Sequence, residues 1–243
     1  MLLTIITVVK NDKNNIIKTI KSVQKQKYKK YEHIIIDGKS NDGTSGLISI
    51  EAKKNKKIKF FIKQDKNLYE ALNFAIKVSS GEIIAILHSG DIFHNDKVTN
   101  FYVNNAKRYD VICGNVLFLN KNKITRRWNY QIDKLNIMNA FKIAHTSLVI
   151  KRSLFRLIGS YNTSYSISSD TDFILKMSSI KKIRFKYFNK NFVIMSTGGL
   201  SSSFENFFIK FKEDLHIYKN YFKEKFILIY LYKLSYKFIK LIL

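Results

Sequence analysis

Gly81-Glu82-Ile83-Ile84-Ala85-Ile86-Leu87-His88-Ser89-Gly90-Asp91 decides how the rest of the chain is read. An apolar, β-branched run that ends in a flexible polar tip fits a fully buried strand. In open parallel sheets, ligands gather beyond the carboxyl ends of the strands. Asp91 would then offer a hard oxygen to a divalent cation held against phosphates. A second reading stands beside this one, with Asp91 as a turn former or as the N-cap of a helix starting near Asn95.

Upstream, the pattern repeats. Residues 2–9 are apolar and β-branched, and Asn11-Asp12 cap a helix whose Ile16, Ile17, Ile20 and Val23 repeat at helical spacing. Residues 31–36 form a second strand that runs into Asp37-Gly38-Lys39-Ser40-Asn41-Asp42-Gly43-Thr44, a tight polar turn before a helix reaching about Lys54. Residues 58–62 make a third strand, and Leu68, Ala71, Leu72, Ala75 and Ile76 form a further helical stripe. Strands alternating with helices imply right-handed crossovers and a mainly parallel sheet. Asp37 ends a strand on the same edge as Asp91, beside small residues that let a nucleotide approach the backbone. Asp42-Gly43-Thr44 reads as helix-start structure.

Downstream, residues 110–119 and 123–128 read as a hairpin around Asn120-Lys121-Asn122. A short strand covers 146–151, a helix follows to about Ile158, and Gly159 ends it. Ser168-Ser169-Asp170 opens another helix that buries Phe173, Ile174 and Met177. Residues 183–188 and 192–195 read as two closing strands, and Gly198-Gly199 as a mobile turn. The chain has no proline and no linker-like stretch, so the second half is expected to complete the domain begun by the first.

The chain has 243 residues, 46% of them hydrophobic, enough for one large domain plus an appendage. Lys and Arg total 43 against 18 Asp and Glu, a formal charge of +25. That excess suits an anionic partner or surface, and equally a general Lys, Asn and Ile bias. The single Cys113 excludes an internal disulfide and a cysteine zinc site. The first residues lack a basic region and a cleavage site, so a cytoplasmic protein is expected, and no run is long enough to span a bilayer. From Phe204 the chain turns aromatic, aliphatic and basic. Residues 204–222 read as a helix packed on the core with snorkelling lysines. Residues 225–243 read as an interfacial helix, its lysines near anionic headgroups on the inner face of the membrane. Lysines spread along the whole chain, rather than on one face, argue against nucleic acid.

Several stretches in order carry a resemblance. Asp37-Gly38-Lys39-Ser40-Asn41-Asp42-Gly43-Thr44 resembles the D-G-x-S-x-D-G-T signature of family-two glycosyltransferases of the GT-A fold, and residues 4–11 are similar to that family's first strand and loop. Asp65-Lys66-Asn67-Leu68-Tyr69-Glu70-Ala71-Leu72-Asn73 is similar to the D-x-G-I-Y-D-A-M-N stretch of its bacterial surface-polysaccharide branch. Ser89-Gly90-Asp91 falls where the family keeps its D-x-D-type motif, and Ser168-Ser169-Asp170-Thr171-Asp172-Phe173 where it has an E-D-x-D-L helix start. Linked motifs in order are specific where one alone would be weak.

The resemblance implies an α/β, Rossmann-like GT-A domain over 1–203, with a nucleotide-binding half (1–100) and an acceptor half (101–203), followed by a helical segment, 204–243. It implies an inverting hexosyltransferase that moves one sugar from a nucleotide-diphosphate sugar to a glycan or lipid-linked acceptor. Thr7, Val9, Asn11, Asp37, Asp65, Ser89, Gly90 and Asp91 would hold the donor, and Asp91 alone the Mg or Mn ion. Asp170 would deprotonate the acceptor hydroxyl, a poor nucleophile that needs a carboxylate within hydrogen-bond reach. His145, Asp172, Gly198 and Gly199 would serve the acceptor or a closing loop; a lone His before a strand also reads as a hydrogen-bonded structural residue. Five positions depart from the pattern. Ser89 and Gly90 replace acidic residues before Asp91, Gly38 replaces a second Asp, Ser169 replaces an acidic neighbour of Asp170, and Asn67 replaces the glycine before Leu68. The Q-x-x-R-W motif of processive synthases is missing, which implies transfer of a single sugar. A sugar nucleotidyltransferase, or a non-catalytic basic membrane- or nucleic-acid-binding module, are the alternatives.

Overall fold

The computed structural model describes residues 1–121, 123–129, 131–196 and 204–242, with side chains from 206 to 239 in the two C-terminal helices. Strands β1 (Leu3–Val9), β2 (Tyr31–Asp37) and β3 (Ile58–Ile62) alternate with helices α1 (Ile16–Gln24), α2 (Thr44–Lys54) and α3 (Leu68–Val78) before β4 (Ile83–Ile86). These four strands pair in parallel in the order β3-β2-β1-β4. Strand periodicity explains their continuous apolar runs: Ile84 and Ile86 of β4 face one core layer, and Ile83 and Ala85 face the other. Because β1 lies between β2 and β4, the chain reverses its winding there, and a crevice opens beyond Val9 and Leu87.

The deciding stretch is held at its start by a buried polar knot. The Gly81 N–H donates to Thr4 Oγ1 and Glu32 Oε1, and Lys59 pairs with the same Glu32 carboxylate at 2.6 Å. A Cβ on Gly81 would lie 2.4 Å from Thr4 Oγ1, so only glycine fits. The strand itself is shorter than its apolar run, because residues 88–91 close a turn in which the Asp91 N–H donates to the His88 carbonyl and Gly90 takes φ +89°.

The second half extends the sheet with mixed pairing. It contributes β5 (Ile92–Phe93), α4 (Val98–Ala106), β6 (Val111–Asn120), β7 (Lys123–Trp128), β8 (Val149–Lys151), α5 (Phe155–Ile158), α6 (Ser169–Ser178) and β9 (Phe185–Ser196). The sheet continues β4-β8-β6-β9-β5, with the β6–β7 hairpin as expected. Three expectations are corrected. The closing strands are a single strand, β9, which passes through polar Asn189-Lys190-Asn191 because the Asn115 amide donates to the side chains of Asn189 and Asn191 across two bulges in β6. The expected strand over 146–151 starts later, because residues 145–147 form a 3-10 turn in which Ser147 Oγ donates to the Ala144 carbonyl. Asn11-Asp12 do not cap α1 either: its N-cap is Asn15, and the Asp12 carboxylate turns to other partners.

α3, α5, α6 and the C-terminal α7 (Phe204–Phe222) and α8 (Phe226–Ile242) share one core layer. Phe173 stacks on Phe155 and Tyr161, and Ile217, Tyr218 and Tyr230 close the layer from the C-terminal side. α7 is thus packed on the core, as its apolar spacing implies. No helix among the described residues is long and apolar enough to cross a membrane.

Candidate active site

A cavity of about 620 Å³ opens over the crevice between β1 and β4 and reaches the α7–α8 pair. Val9, Asn11, Ser89, Gly90, Asp91, His145 and Asp170 of the expected site line it.

At one end the loop carrying Asp91 is clamped between α1 and the end of β9. Thr19 of α1 donates to the Asp91 carbonyl at 2.8 Å and accepts from the Gly90 N–H. Ser196, at the end of β9, donates its hydroxyl to the Gly90 carbonyl at 2.7 Å and its N–H to Asp91 Oδ1 at 3.3 Å. The other carboxyl oxygen, Oδ2, is buried without a hydrogen-bond partner, in a side chain only 4% exposed. Burial therefore raises this carboxyl to about 7; the Ser196 N–H and His145 oppose the rise, and the Asp12 carboxylate adds to it. Asp12 lines the same end, held by Ser89 Oγ at 2.7 Å and the Asn15 amide at 2.7 Å. An orphaned buried carboxylate oxygen beside a second carboxylate fits a hard divalent cation. Asp91, supported by Asp12, would hold it, although no cluster of three or more ligating side chains exists among the described residues.

In the middle, Asp170 sits in the first turn of α6, and its Oδ2 lies 3.0 Å from His145 Nδ1. Burial works to raise this carboxyl, but the His145 hydrogen bond and charge, Lys210 and the Thr171 N–H together hold it well below the usual range. His145 Nε2 in turn lies 3.3 Å from Nε2 of His88, whose pKa is pushed down to about 3 by burial and by His145, against the opposing pull of Asp170. An ionised Asp170, the His145 Nδ1–H it accepts and a neutral His88 form one row across the cavity floor. Tyr69 O–H donates to the Ile167 carbonyl at 2.5 Å and lies 3.4 Å from Asp170 Oδ1, fixing the helix start.

Four expected residues sit outside this cavity. Thr7 is fully buried and donates to the Leu87 carbonyl at 2.7 Å. Asp37 spends its carboxylate on its own turn, accepting from the Ser40 N–H and from the hydroxyls of Ser40 and Ser45. Asp65 pairs with Lys63 at 2.9 Å. Asp172 pairs with Lys176 at 2.6 Å and accepts from Tyr221 O–H. Gly198 and Gly199 lie outside the described residues.

The opposite end of the cavity was not anticipated. Lys210 of α7 and Lys233 and Lys237 of α8 line it together with Trp128 and Tyr218. Helical spacing of 233 and 237 places both on one face, but nothing in the sequence says that this face turns inward. His88 and Asp12 were likewise missed as site residues; their positions just beyond strands were the available signal.

The profile of glycosyl transferase family 2 matches residues 4–184, and the chain belongs to that family. It is a glycosyltransferase. Among curated relatives, a PGL/p-HBAD biosynthesis glycosyltransferase of Mycobacterium bovis is 24% identical over 181 residues, 71% of this chain and 68% of that protein. An uncharacterized glycosyltransferase of Rickettsia typhi is 28% identical over 199 residues, 76% of this chain and 61% of that protein. Among solved structures, S. aureus TarS residues 1–349 superpose with a TM-score of 0.73 at 14% identity, over 96% of this chain and 71% of that one; the same fragment is also known in complex with UDP-GlcNAc. The mannosyltransferase PcManGT of Pyrobaculum calidifontis, in complex with GDP-Man and Mn2+, superposes at 0.62 and 17% identity over 89% of this chain and 61% of that one. This chain spans 40% of the longer TarS chain. Those likenesses establish the GT-A fold, and family membership sets aside the nucleotidyltransferase and non-catalytic alternatives.

Proposed function

We propose that this enzyme is an inverting transferase that moves one sugar from a nucleotide-diphosphate sugar to a hydroxyl of a glycan or lipid-linked acceptor, in the synthesis of a cell-surface polysaccharide. The observation that carries the reading is Asp170, ionised, bonded to His145 and open to a cavity that ends at Asp91. Val9, Asn11, Ser89 and Gly90 line the cavity end that would take the donor, while Asp37 and Asp65, outside the cavity, would serve the nucleoside only by shaping the neighbouring turns. That relatives of the same fold bind UDP-GlcNAc and, with Mn2+, GDP-Man supports a nucleotide-sugar donor. A Mg or Mn ion at Asp91 would neutralise charge on the departing diphosphate.

In the reaction, the acceptor O–H is hydrogen-bonded to Asp170 and its oxygen attacks the anomeric carbon from the face opposite the diphosphate. The C–O bond to the diphosphate breaks, and the proton passes to the carboxylate. A carboxylate held this low is a weak base in the free enzyme, and a bound anionic donor would raise it toward the task. His145, fixed by His88, keeps the Asp170 oxygens aimed.

Residues 1–203 would form the catalytic unit and 204–243 an appended helical segment that rests on the inner face of the membrane. α8 supports this: Ile227, Leu228, Leu231, Phe238 and Ile239 are exposed on its outer side, near the exposed lysines 219, 223 and 225. A panel of UDP-, GDP- and dTDP-sugars tests the central reading; one nucleotide is expected to be preferred, and neither binding nor turnover of any would sink it.

A further inference from the structure

α8 is amphipathic in the reverse of the usual sense. Its described interior lysines, Lys233 and Lys237, turn inward to the cavity, while its aliphatic residues face out. Lys233 is 4% exposed, lies over the rings of Tyr218 and Tyr230, and pairs with Asp214 at 2.8 Å. Lys210 reaches the other oxygen of the same carboxylate at 3.5 Å. Lys237 lies 5.1 Å from the centre of the Trp128 ring, and no carboxylate comes within ion-pair distance of it among the described residues. The remaining acids nearby are committed: Glu213 accepts from the N–H groups of Ser166, Ile167 and Ser168, and Asp170 holds His145. Lys210 and Lys233 thus share the Asp214 carboxylate, with Asp170 and Glu213 also acting on Lys210, and Lys237 is the member of the cluster left without an ion pair among the described residues. Uncompensated buried charge is costly, so proteins keep such a cluster for an anion.

The position of the cluster says which anion. Lys210 and His145 are the cations acting on Asp170, whereas His145 and Asp12 are the charges acting on Asp91, and the lysines line the α7–α8 end of the cavity. The catalytic carboxylate therefore separates the lysines from the donor end, and the outer wall of the lysine end is the apolar face of α8.

We propose that Lys210, Lys233 and Lys237, with Trp128 beside them, form a phosphate subsite on the acceptor side of Asp170 that takes the phosphate linking an acceptor sugar to a lipid. The inference rests on the transferase reading for the word acceptor. The phosphate compensates Lys237 and the excess positive charge around Asp214, and the lipid runs out along Leu228 and Leu231 toward the membrane. Lys237 answers most directly: burial first, then Lys233 and Lys210, push its pKa down to about 7, and a bound anion reverses the last two effects.

Farnesyl diphosphate, a short lipid diphosphate, serves as the probe, titrated calorimetrically into the full chain with and without saturating UDP or GDP, whichever binds. Binding in the presence of nucleotide, weakened at least tenfold in Lys237→Met and in Lys210→Met and kept within threefold in Lys237→Arg, is the expected result. Competition between the probe and the nucleotide would assign the lysines to the donor diphosphate and overturn the proposal, as would undiminished binding in both methionine variants. Absence of nucleotide binding with the lysine-dependent probe binding intact would instead strike the donor reading alone.

Discussion

The two ends of the cavity are built on opposite plans. At the β1–β4 end, a carboxylate with one orphaned oxygen sits beside a second carboxylate; at the α7–α8 end, three lysines line the cavity and two of them share one carboxylate. Each end gathers like charge along the cavity wall, a cost that folding tolerates where a ligand of opposite sign later offsets it. A cation suits the first end and an anion the second. Asp170 and His145 stand between them, bonded to each other at 3.0 Å, and chemistry placed there meets ligands drawn from both sides.

The largest effect is expected at this midpoint. Asp170→Asn removes the acceptor of the hydroxyl proton while keeping the shape and one hydrogen bond for His145, so kcat should fall about 10²–10⁴-fold. Donor affinity should stay within about twofold, because Asp170 lies beyond the donor end. Steady-state kinetics with nucleotide binding measured in parallel reads both, and an enzyme that keeps its turnover would take Asp170 out of the base role.

Next comes the acidic end. A carboxyl whose folded pKa is raised stabilises the fold below its unfolded pKa, and that contribution is lost as pH rises through about 7. Asp91→Asn should therefore raise Tm in EDTA, with a larger gain at pH 8 than at pH 5, and the full difference is on the order of 2–4 kcal/mol. Added Mn2+ should stabilise the wild type, by about 2.7 kcal/mol at a hundred times Kd, and leave the variant unmoved. Equal Mn2+ shifts in both proteins would show that the ion binds elsewhere.

The basic end should mirror this with the opposite slope. Lys237 has a depressed pKa, so its contribution to stability is present above the unfolded value and lost as pH falls through about 7. Lys237→Met should raise Tm more at pH 6 than at pH 10, by about 2–4 °C for each kcal/mol in a chain of this size. A scan of Tm against pH for Asp91→Asn and Lys237→Met together is the sharpest form of the contrast. Parallel slopes would mean that the two ends do not hold opposite uncompensated charge.

How much of this was legible in the sequence follows from which forces act locally. β1, β2, β3 and α3 were readable because periods of 2 and 3.6 are recorded in the order of residues, and the linked turn motifs placed them in a known frame. Asp91 and Asp170 were readable as strand-end and helix-start residues. The row from Asp170 through His145 to His88 was not, since it joins a helix start and two turns through 3.0 and 3.3 Å contacts between residues 25 and 57 positions apart. Asp37 shows the converse: its strand-end position was read correctly, while the Ser40 and Ser45 hydroxyls that occupy its carboxylate are a matter of turn geometry. β9 was split in two because Asn189-Lys190-Asn191 look like a turn until Asn115 supplies their partners. α8 was the hardest element. Its aromatics, aliphatics and lysines all repeat with a helical period, and only Asp214 on the neighbouring helix decides that the lysines go in. The lysines expected at the headgroups therefore include two that are inside the cavity wall.

The smallest effect on the protein itself, and the one that tests what that inversion is for, belongs to the outer face of α8. Leu228 and Leu231 are 72% and 56% exposed. Replacing both with Glu removes no buried contact and should change stability by no more than about 0.5 kcal/mol. On anionic vesicles the consequence should be larger. Two leucines leave the apolar interface and two negative charges enter the surface field, so co-sedimentation should fall while nucleotide binding and turnover of a water-soluble acceptor stay within about twofold. Lys237→Met is the matched control, because its ammonium faces the cavity: it should leave sedimentation unchanged. A vesicle affinity that survives Leu228→Glu with Leu231→Glu but fails in Lys237→Met would mean that the cavity, not the helix face, is what meets the lipid, and the two sides of α8 would have to exchange roles.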